Sequence, residues 1–355
     1  VIDFQRKLNN WYHINKRSLP WRNTEDPYKI WLSEIILQQT RVAQGLPYYQ
    51  EFVKTYPTVF DLAKAEEQEV LKLWQGLGYY SRARNLHYSA KIVAEEYNGV
   101  FPTTYKELKK LKGVGDYTAS AIASFCYGEA VAVLDGNVFR VLSRFLGIDT
   151  PINTTIGKKI FKEKADFFLD KENPGIHNQA IMEFGALQCK PKNPNCFDCP
   201  IQNNCVAFQQ GKIKELPVKL KKLKIKKRNL NYLVFLSENG ETLIKQRIGK
   251  GIWRNLYDFP LIESKKIWTK EDVLNHKAVE VLNLNSNQII AFEEKPIKHQ
   301  LTHQRLKIKF WIIKTNDFPE NFKENKLQQI KHSELKNFPV PIVIENFLKS
   351  YGFKL

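Results

Sequence analysis

Apolar residues recur at three- and four-residue steps from Val1 to about Gln210, the spacing that lines one face of an α-helix. The run DLAKAEEQEVLKLWQGLG shows this period and ends at glycine, a common helix stop. This part of the chain is predicted to be all-α. Beyond residue 230 the pattern shortens to strand-like runs, NYLVFLSE, ETLIKQR and LKIKFWIIK, with one predicted helix at KEDVLNHKAVEVL. The second region is predicted to mix α and β. Between the two, Lys212 to Arg228 carries nine basic residues and one acid and little that could build a core, so it reads as a solvated linker. No internal repeat is visible.

A length of 355 residues exceeds one ordinary core and suits two domains or three. Lysine and arginine number 55 against 37 acids, a formal charge of +18. Such an excess concentrates polyanions at the surface and makes nucleic acid the leading partner. No apolar run reaches the roughly 18 residues that a membrane span needs, and the N-terminal residues lack a signal-peptide pattern. A cytoplasmic protein with no membrane contact is expected.

Of five cysteines, Cys126 sits alone in the apolar run AIASFCY and reads as a buried, inert thiol. The other four, Cys189, Cys196, Cys199 and Cys205, fall within one short stretch interrupted by Pro191, Pro194 and Pro200, which prevent a continuous helix. In a reducing compartment such a set points to a metal centre, and four thiolates suit zinc or an iron-sulfur cluster equally.

TTYKELKKLKGVGDYTASAIASF predicts a helix-hairpin-helix: Thr104 and Glu107 have capping-box spacing, the first helix stops at Gly113-Val114-Gly115, and the second begins near Asp116. Glycines at 113 and 115 would let backbone N–H groups reach a phosphate without regard to base sequence. Two acids stand in apolar company. Glu34, among Ile30, Trp31, Leu32, Ile35, Ile36 and Leu37, is either a carboxyl of raised pKa or part of a polar stripe with Ser33 and Gln38. Asp135, after AVAVL and before GNVFRVLSRFLG, is a predicted helix N-cap that could also serve catalysis. Cleaving a glycosidic bond takes one group to protonate the leaving group and one carboxylate to stabilise an oxocarbenium-like sugar.

The ordered motifs LPWR at 19–22, WLSEIILQQTRV at 31–42, GLGYYSRARNLH at 76–87, GVGDYTA at 113–119, LDGNVFRV at 134–141 and the four cysteines resemble the MutY-type adenine DNA glycosylases of the helix-hairpin-helix superfamily. The resemblance implies a monomer that acts on double-stranded DNA holding adenine opposite 8-oxoguanine or guanine, close to the bacterial nucleoid. It implies a [4Fe-4S] cluster on the cysteines, Glu34 as the acid that protonates adenine, Asp135 as the stabiliser of the sugar cation, and Tyr117 and Asn137 as their positioners. It places Trp21, Arg22, Leu37 and Gln179 near the adenine pocket and Gln39 and Tyr79 as wedges in the duplex. Related lyases carry a lysine at position 117 that forms an imine, so Tyr117 implies a mainly monofunctional glycosylase. Lys112 departs from the proline of many relatives and adds a charge beside the hairpin.

The implied architecture is an all-α two-lobed catalytic region over 1–215, with a six-helix barrel at about 24–131 and a cluster lobe of 1–23 plus 132–215, the site lying between the lobes. A basic linker at 216–229 follows, then an α+β Nudix-like domain at 230–355. GIWRNLYDFPLIE at 251–263 resembles the strand-turn signature of that domain, but the glutamate cluster of a Nudix catalytic helix is missing from the sequence, so pyrophosphate hydrolysis is not expected. The family's Phe-Ser-His lesion-reading turn corresponds to Leu301-Thr302-His303; threonine keeps the hydroxyl, while leucine replaces the aromatic ring. Two rivals stand beside this reading: a lyase acting on oxidised pyrimidines, which Tyr117 and the long C-terminal region disfavour, and a noncatalytic DNA-binding protein that uses its cluster structurally.

Overall fold

Residues 1–220, 225–316, 318 and 327–353 are described by the computed structural model. Contacts divide the chain into two units, one of Val1–Lys64 with Asn85–Lys221 and one of Ala65–Arg84 with Lys222–Leu355.

The first unit is helical. It holds α1 (Ile2–Asn15), α2 (Pro27–Leu37), α3 (Val42–Thr55) and α4 (Val59–Lys64). Helix α5 (Glu67–Leu73) belongs to the second unit, and α6 (Ser81–Glu96) begins there and continues in the first. Then come α7 (Tyr105–Leu108), α8 (Asp116–Tyr127), α9 (Gly136–Leu146), α10 (Thr155–Phe168), α11 (Pro174–Leu187) and α12 (Val206–Gln209). Helix α2 starts where the Asp26 carboxylate accepts the Tyr28 N–H at 3.0 Å and Pro27 presets the first turn. Its residues Ile30 to Ile36 are all buried, so no polar stripe exists on it. Helix α2 packs on α3 and α8, α1 on α11, and α9 on α10, α11 and α12. Phe161 and Phe184, both fully buried, anchor the core around α9. Burying a side chain of this size contributes about 1.5–3 kcal/mol. Helix α9 ends at Gly147 with φ 70°, where a Cβ would stand 2.5 Å from Val206 Cγ1, so only glycine lets α12 come this close.

The second unit adds β1 (Lys226–Leu236), β2 (Glu241–Gln246), β3 (Tyr257–Asp258) and β4 (Leu261–Ser264). They are followed by α13 (Lys270–Leu274), α14 (Lys277–Glu280), β5 (Ile289–Ala291), β6 (Ile297–Gln300), β7 (Gln304–Lys314), β8 (Leu327–Lys331) and α15 (Ile342–Tyr351). One sheet runs β4-β1-β7-β5, with β6 also on β7; the other runs β3-β2-β8. Strands β1 and β7 are parallel from Lys226 opposite Gln304 to Leu236 opposite Lys314. Leu230 to Phe235 are buried throughout, as in a strand covered on both faces. Phe310 stacks between Tyr232 and Phe347, with ring centroids 5.1 and 4.2 Å away.

Four sequence expectations are corrected. The helix read over 61–78 is broken after Lys64, because Glu66 opens a new helix with Glu69 in a reciprocal capping box. The helix read over 270–282 is two short ones, α13 and α14. The first helix of the hairpin keeps its Thr104 cap on the Glu107 N–H, but ends at Leu108 and reaches Gly113 through tight i→i−3 turns. The basic stretch is not a bare tether: Leu216 is buried with its carbonyl on Arg144, Leu220 pairs with Asn153, and residues from Lys226 onward form β1. Residues 221–224 of it lie outside the described residues.

Candidate active site

A cleft of about 890 Å³ opens in the helical unit. Trp21, Arg22, Glu34, Leu37, Gln39, Tyr117, Asp135 and Asn137 line it, as do Gly113 and Gly115 of the hairpin. Gly113 has φ 86°, and a Cβ there would stand 2.8 Å from Asn85 Cβ, so the turn requires glycine. Gln179 does not line the cleft; its Oε1 accepts the Tyr12 hydroxyl at 2.6 Å. Lys112 stacks over the Tyr88 ring at 4.4 Å.

The two acids are set differently. Glu34 is 7% exposed on α2, and burial pushes its carboxyl up from 4.5 to about 7. The neighbouring Tyr117 hydroxyl pulls the value down, the Asp135 charge pushes it up, and the Arg22 charge pulls it down. Tyr117 also stands 3.3 Å from Met182 Sδ, a far weaker acceptor than a carboxylate. Asp135 is the N-cap of α9 that its sequence predicts. One oxygen accepts the Asn137 and Val138 N–H groups at 2.9 and 2.8 Å, and the other accepts the Asn137 Nδ2 at 2.7 Å. Burial pushes this carboxyl up as well, but those donors and the helix N-terminus favour its ionised form. Burial thus raises both carboxyls, Glu34 to about 7, while donors engage both oxygens of Asp135 and oppose its rise.

Behind Asn137, Arg140 donates to the Asn137 Oδ1 at 2.9 Å, the Gly185 carbonyl at 2.6 Å and the Cys189 carbonyl at 2.7 Å. Cys189, Cys196, Cys199 and Cys205 line one small cavity with Val141, Phe184 and Ile201. Arg144 donates to Cys189 Sγ at 3.4 Å, and backbone N–H groups of Ile201 and Phe208 face the sulfurs of Cys199 and Cys205. Among the described residues no three His, Cys, Asp or Glu side chains are grouped around the position of a single metal ion. Four thiols around one cavity, with cationic and N–H donors on the sulfurs, suit a multinuclear cluster in donor chemistry. Cys126 is half-buried rather than buried, and burial pushes its thiol up to about 12, so it is protonated at neutral pH.

A second cavity, of about 600 Å³, lies within the sheet unit. Tyr79, Trp253, His299, Thr302 and His303 line it. The Tyr79 hydroxyl is 2.7 Å from Thr302 Oγ1, and Tyr79 takes φ 48°, reached through Gly76 and Gly78 with φ 91° and 77°. The turn that carries Thr302 is closed by the Leu301 N–H on the Gln304 carbonyl.

Residues 32–165 match the HhH-GPD superfamily base excision DNA repair protein model, and residues 231–350 match the NUDIX domain model. An adenine DNA glycosylase of Buchnera aphidicola subsp. Schizaphis graminum is 36% identical over 345 residues, covering 95% of this chain and 94% of that protein. The chain belongs to the adenine DNA glycosylase family. It is thus a base-excision-repair enzyme of the glycosylase class. The Homo sapiens adenine DNA glycosylase is 43% identical over 225 residues, 61% of this chain and 41% of that one. A solved thermostable thymine-DNA glycosylase is 29% identical, with a TM-score of 0.54 over 58% of this chain and 95% of that one. No helix among the described residues is long and apolar enough to cross a membrane.

For this adenine DNA glycosylase family member, sequence reasoning missed Glu183. It is 1% exposed and accepts from Arg17 and Arg22, whose guanidinium groups fork onto it at 2.6–2.9 Å. Burial pushes its carboxyl up, but these hydrogen bonds overcome that and hold it at about 2. Its signal was the one that revealed Glu34, an acid in apolar company, here Ile181, Met182 and Phe184. Lys158 and Lys162 also line the cleft, and nothing in their local sequence marks them.

Proposed function

We propose that this chain hydrolyses the N-glycosidic bond of adenine in duplex DNA where the adenine stands opposite 8-oxoguanine or guanine, acting as a monomer and without cutting the strand. The observation that carries the reading is the pairing in one cleft of a proton-holding acid, Glu34, with a donor-held carboxylate, Asp135. Adenine flipped from the stack would enter this cleft between Trp21 and Leu37, since its reactive bond is out of reach inside the duplex. Glu34 would protonate the base and so improve it as a leaving group, while the Asp135 carboxylate would stabilise the positive charge that develops on the sugar. Tyr117 would hold Glu34 in place through its hydroxyl, and Asn137 would hold Asp135 through its amide.

Tyr117 offers no amine for an imine with the sugar. Of the lysines lining the cleft, Lys162 is engaged by Asp166 at 2.7 Å and by the Ala132 carbonyl at 3.0 Å. Borohydride should therefore trap little enzyme on DNA; efficient trapping would replace this reading with a lyase. Cys189, Cys196, Cys199 and Cys205 would hold a [4Fe-4S] cluster, which when bound would fix their loop rather than take part in hydrolysis. Iron and sulfide in equal amounts in the purified protein would support it, and zinc instead would overturn it. In the sheet unit, the cavity at Tyr79 and Thr302 would read the base opposite the adenine.

The test is single-turnover release of adenine from duplexes with adenine opposite 8-oxoguanine, guanine or thymine, for the parent and Glu34→Gln. Release opposite the oxidised base by the parent alone supports the reading; an inactive parent brings forward a binding-only protein.

A further inference from the structure

In the sheet unit, β7 alternates between two faces. Leu306, Ile308 and Phe310 point into the core, 0–2% exposed, and Arg305, Lys307 and Lys309 point the other way. The register sets Lys227 of β1 opposite Arg305, and Lys298 of β6 opposite Lys307. Like charges directly opposed across a ladder weaken strand pairing. Lys265 and Lys266 follow β4 beside them, and the face forms an open groove of about 960 Å³ in which, among the described residues, Glu294 is the one acidic side chain.

Few of these cations are neutralised by the protein. Lys266 pairs with Asp272 at 3.0 Å, and Arg228 forks onto Glu263 at 2.6 and 2.7 Å. Among the described residues no ion pair involves Lys227, Lys265, Lys298, Arg305 or Lys307. The fold therefore holds two opposed like-charged pairs and an uncompensated row beside them, an arrangement that an external polyanion would relieve.

We propose that this face binds the phosphate backbone of duplex DNA, independently of base sequence and apart from the cavity at Thr302. Residues two apart on a strand stand about 6.7 Å from each other, so Arg305, Lys307 and Lys309 span about 13 Å. A duplex carries one charge per about 1.7 Å of its axis and presents about eight over that length, whereas a free nucleotide carries too few to match the row. The same β6–β7 hairpin carries Thr302 and His303 at its turn. On the proposed function, a duplex read at that turn would continue over the rungs behind it; the groove would grip flanking DNA and leave the chemistry alone.

The test uses the full chain and an undamaged duplex of about 30 base pairs, with affinity measured at several salt concentrations between about 50 and 200 mM. The variant combines Lys227→Gln, Lys298→Gln and Lys307→Gln. A control of equal charge combines Lys277→Gln, Lys314→Gln and Lys336→Gln, all exposed residues elsewhere in this unit. Each lost phosphate contact lowers the slope of log affinity against log salt by about 0.9, so the variant should lose between about 2 and 3 and bind at least about tenfold more weakly at low salt. The control should keep the parental slope. An unchanged slope in the variant, or an equal fall in the control, overturns the proposal. Removing the opposed charges should leave the melting temperature at low salt equal or higher; if the triple variant nevertheless fails to fold, Lys298→Gln and Lys307→Gln are read singly, each for a slope loss of about 0.9. Single-turnover adenine release at saturating enzyme should match the parent. Because binding to undamaged DNA is read separately from excision, a protein that releases no adenine would sink the proposed function and still leave this surface to be judged by its slope.

Discussion

The cleft of the helical unit is walled by carboxylates whose oxygens are committed to named donors, Asp135 to Asn137 and Val138 and Glu183 to Arg17 and Arg22. The cavity of the sheet unit is walled by Trp253, His299 and a Tyr79 ring whose hydroxyl meets Thr302 in the open. On the proposed function, the contrast separates two tasks. Stabilising a developing charge requires dipoles fixed before the reaction, in a place that water does not screen. Distinguishing one base from another can rest on stacking surfaces and a few polar groups. Loss of one donor in the first region should alter proton affinity and rate together; loss of one in the second should alter only a preference.

The largest effect should come from Glu34→Gln, which keeps shape and hydrogen bonding but supplies no proton. Single-turnover adenine release should fall by about 10²–10⁴, and a smaller fall would mean that another group is the acid. Asp135→Asn comes next. Asparagine keeps the cap on the Asn137 and Val138 N–H groups but turns an NH2 toward the Asn137 amide where an oxygen accepted, so a modest fall in melting temperature should accompany a fall in excision of about 10²–10³; parental activity in this variant would remove the cation-stabilising role. Excision by the parent should decline above pH 7 as Glu34 loses its proton, and again at acid pH as Asp135 gains one, with apparent values belonging to the coupled pair.

The same shift has a stability consequence. A carboxyl raised from 4.5 to about 7 in the folded state contributes stability that is full below pH 4.5 and lost as pH rises through 7. Glu34→Gln should therefore melt higher than the parent at pH 8, by an upper bound on the order of 3 kcal/mol, with the advantage vanishing near pH 4.5. Equal melting at both pH values would show that Glu34 is not raised. The smallest effect belongs to the other region. Tyr79→Phe removes one exposed hydrogen bond, worth about 1 kcal/mol at most, and should change the preference for 8-oxoguanine over guanine by no more than about fivefold. A loss of all excision in this variant would erase the distinction between the two regions.

Two features set by local rules were read correctly. Asp135 before an amphipathic run is the N-cap of α9, and the alternation in LKIKFWIIK is β7. Glu34 shows the limit of such rules. Its segment left a polar stripe open, and only burial of α2 on every side decides against it. The break at Glu66 was legible in Glu66-x-x-Glu69, but the apolar period that runs across it hid the cap. Gln179, implied near the adenine pocket by resemblance, accepts the Tyr12 hydroxyl through its Oε1, and Tyr12 in turn lies under Arg22 of the cleft. Pairings such as Tyr79 with Thr302 join residues far apart in the chain, and no local spacing encodes them.

The segment Ala65–Arg84 sits early in the chain yet has its partners near the end. Gln75 accepts the Val340 N–H at 3.0 Å, Lys72 donates to the Phe338 carbonyl at 3.2 Å, and Arg84 donates to the Arg254 carbonyl at 2.8 Å. A premature stop codon or a proteolytic nick near residue 220 would therefore leave this segment without the strands and loops it pairs with. It would remove these bonds at about 0.5–1.5 kcal/mol apiece. A truncated protein that releases adenine poorly would be reporting the lost support of this segment as much as the loss of the sheet unit.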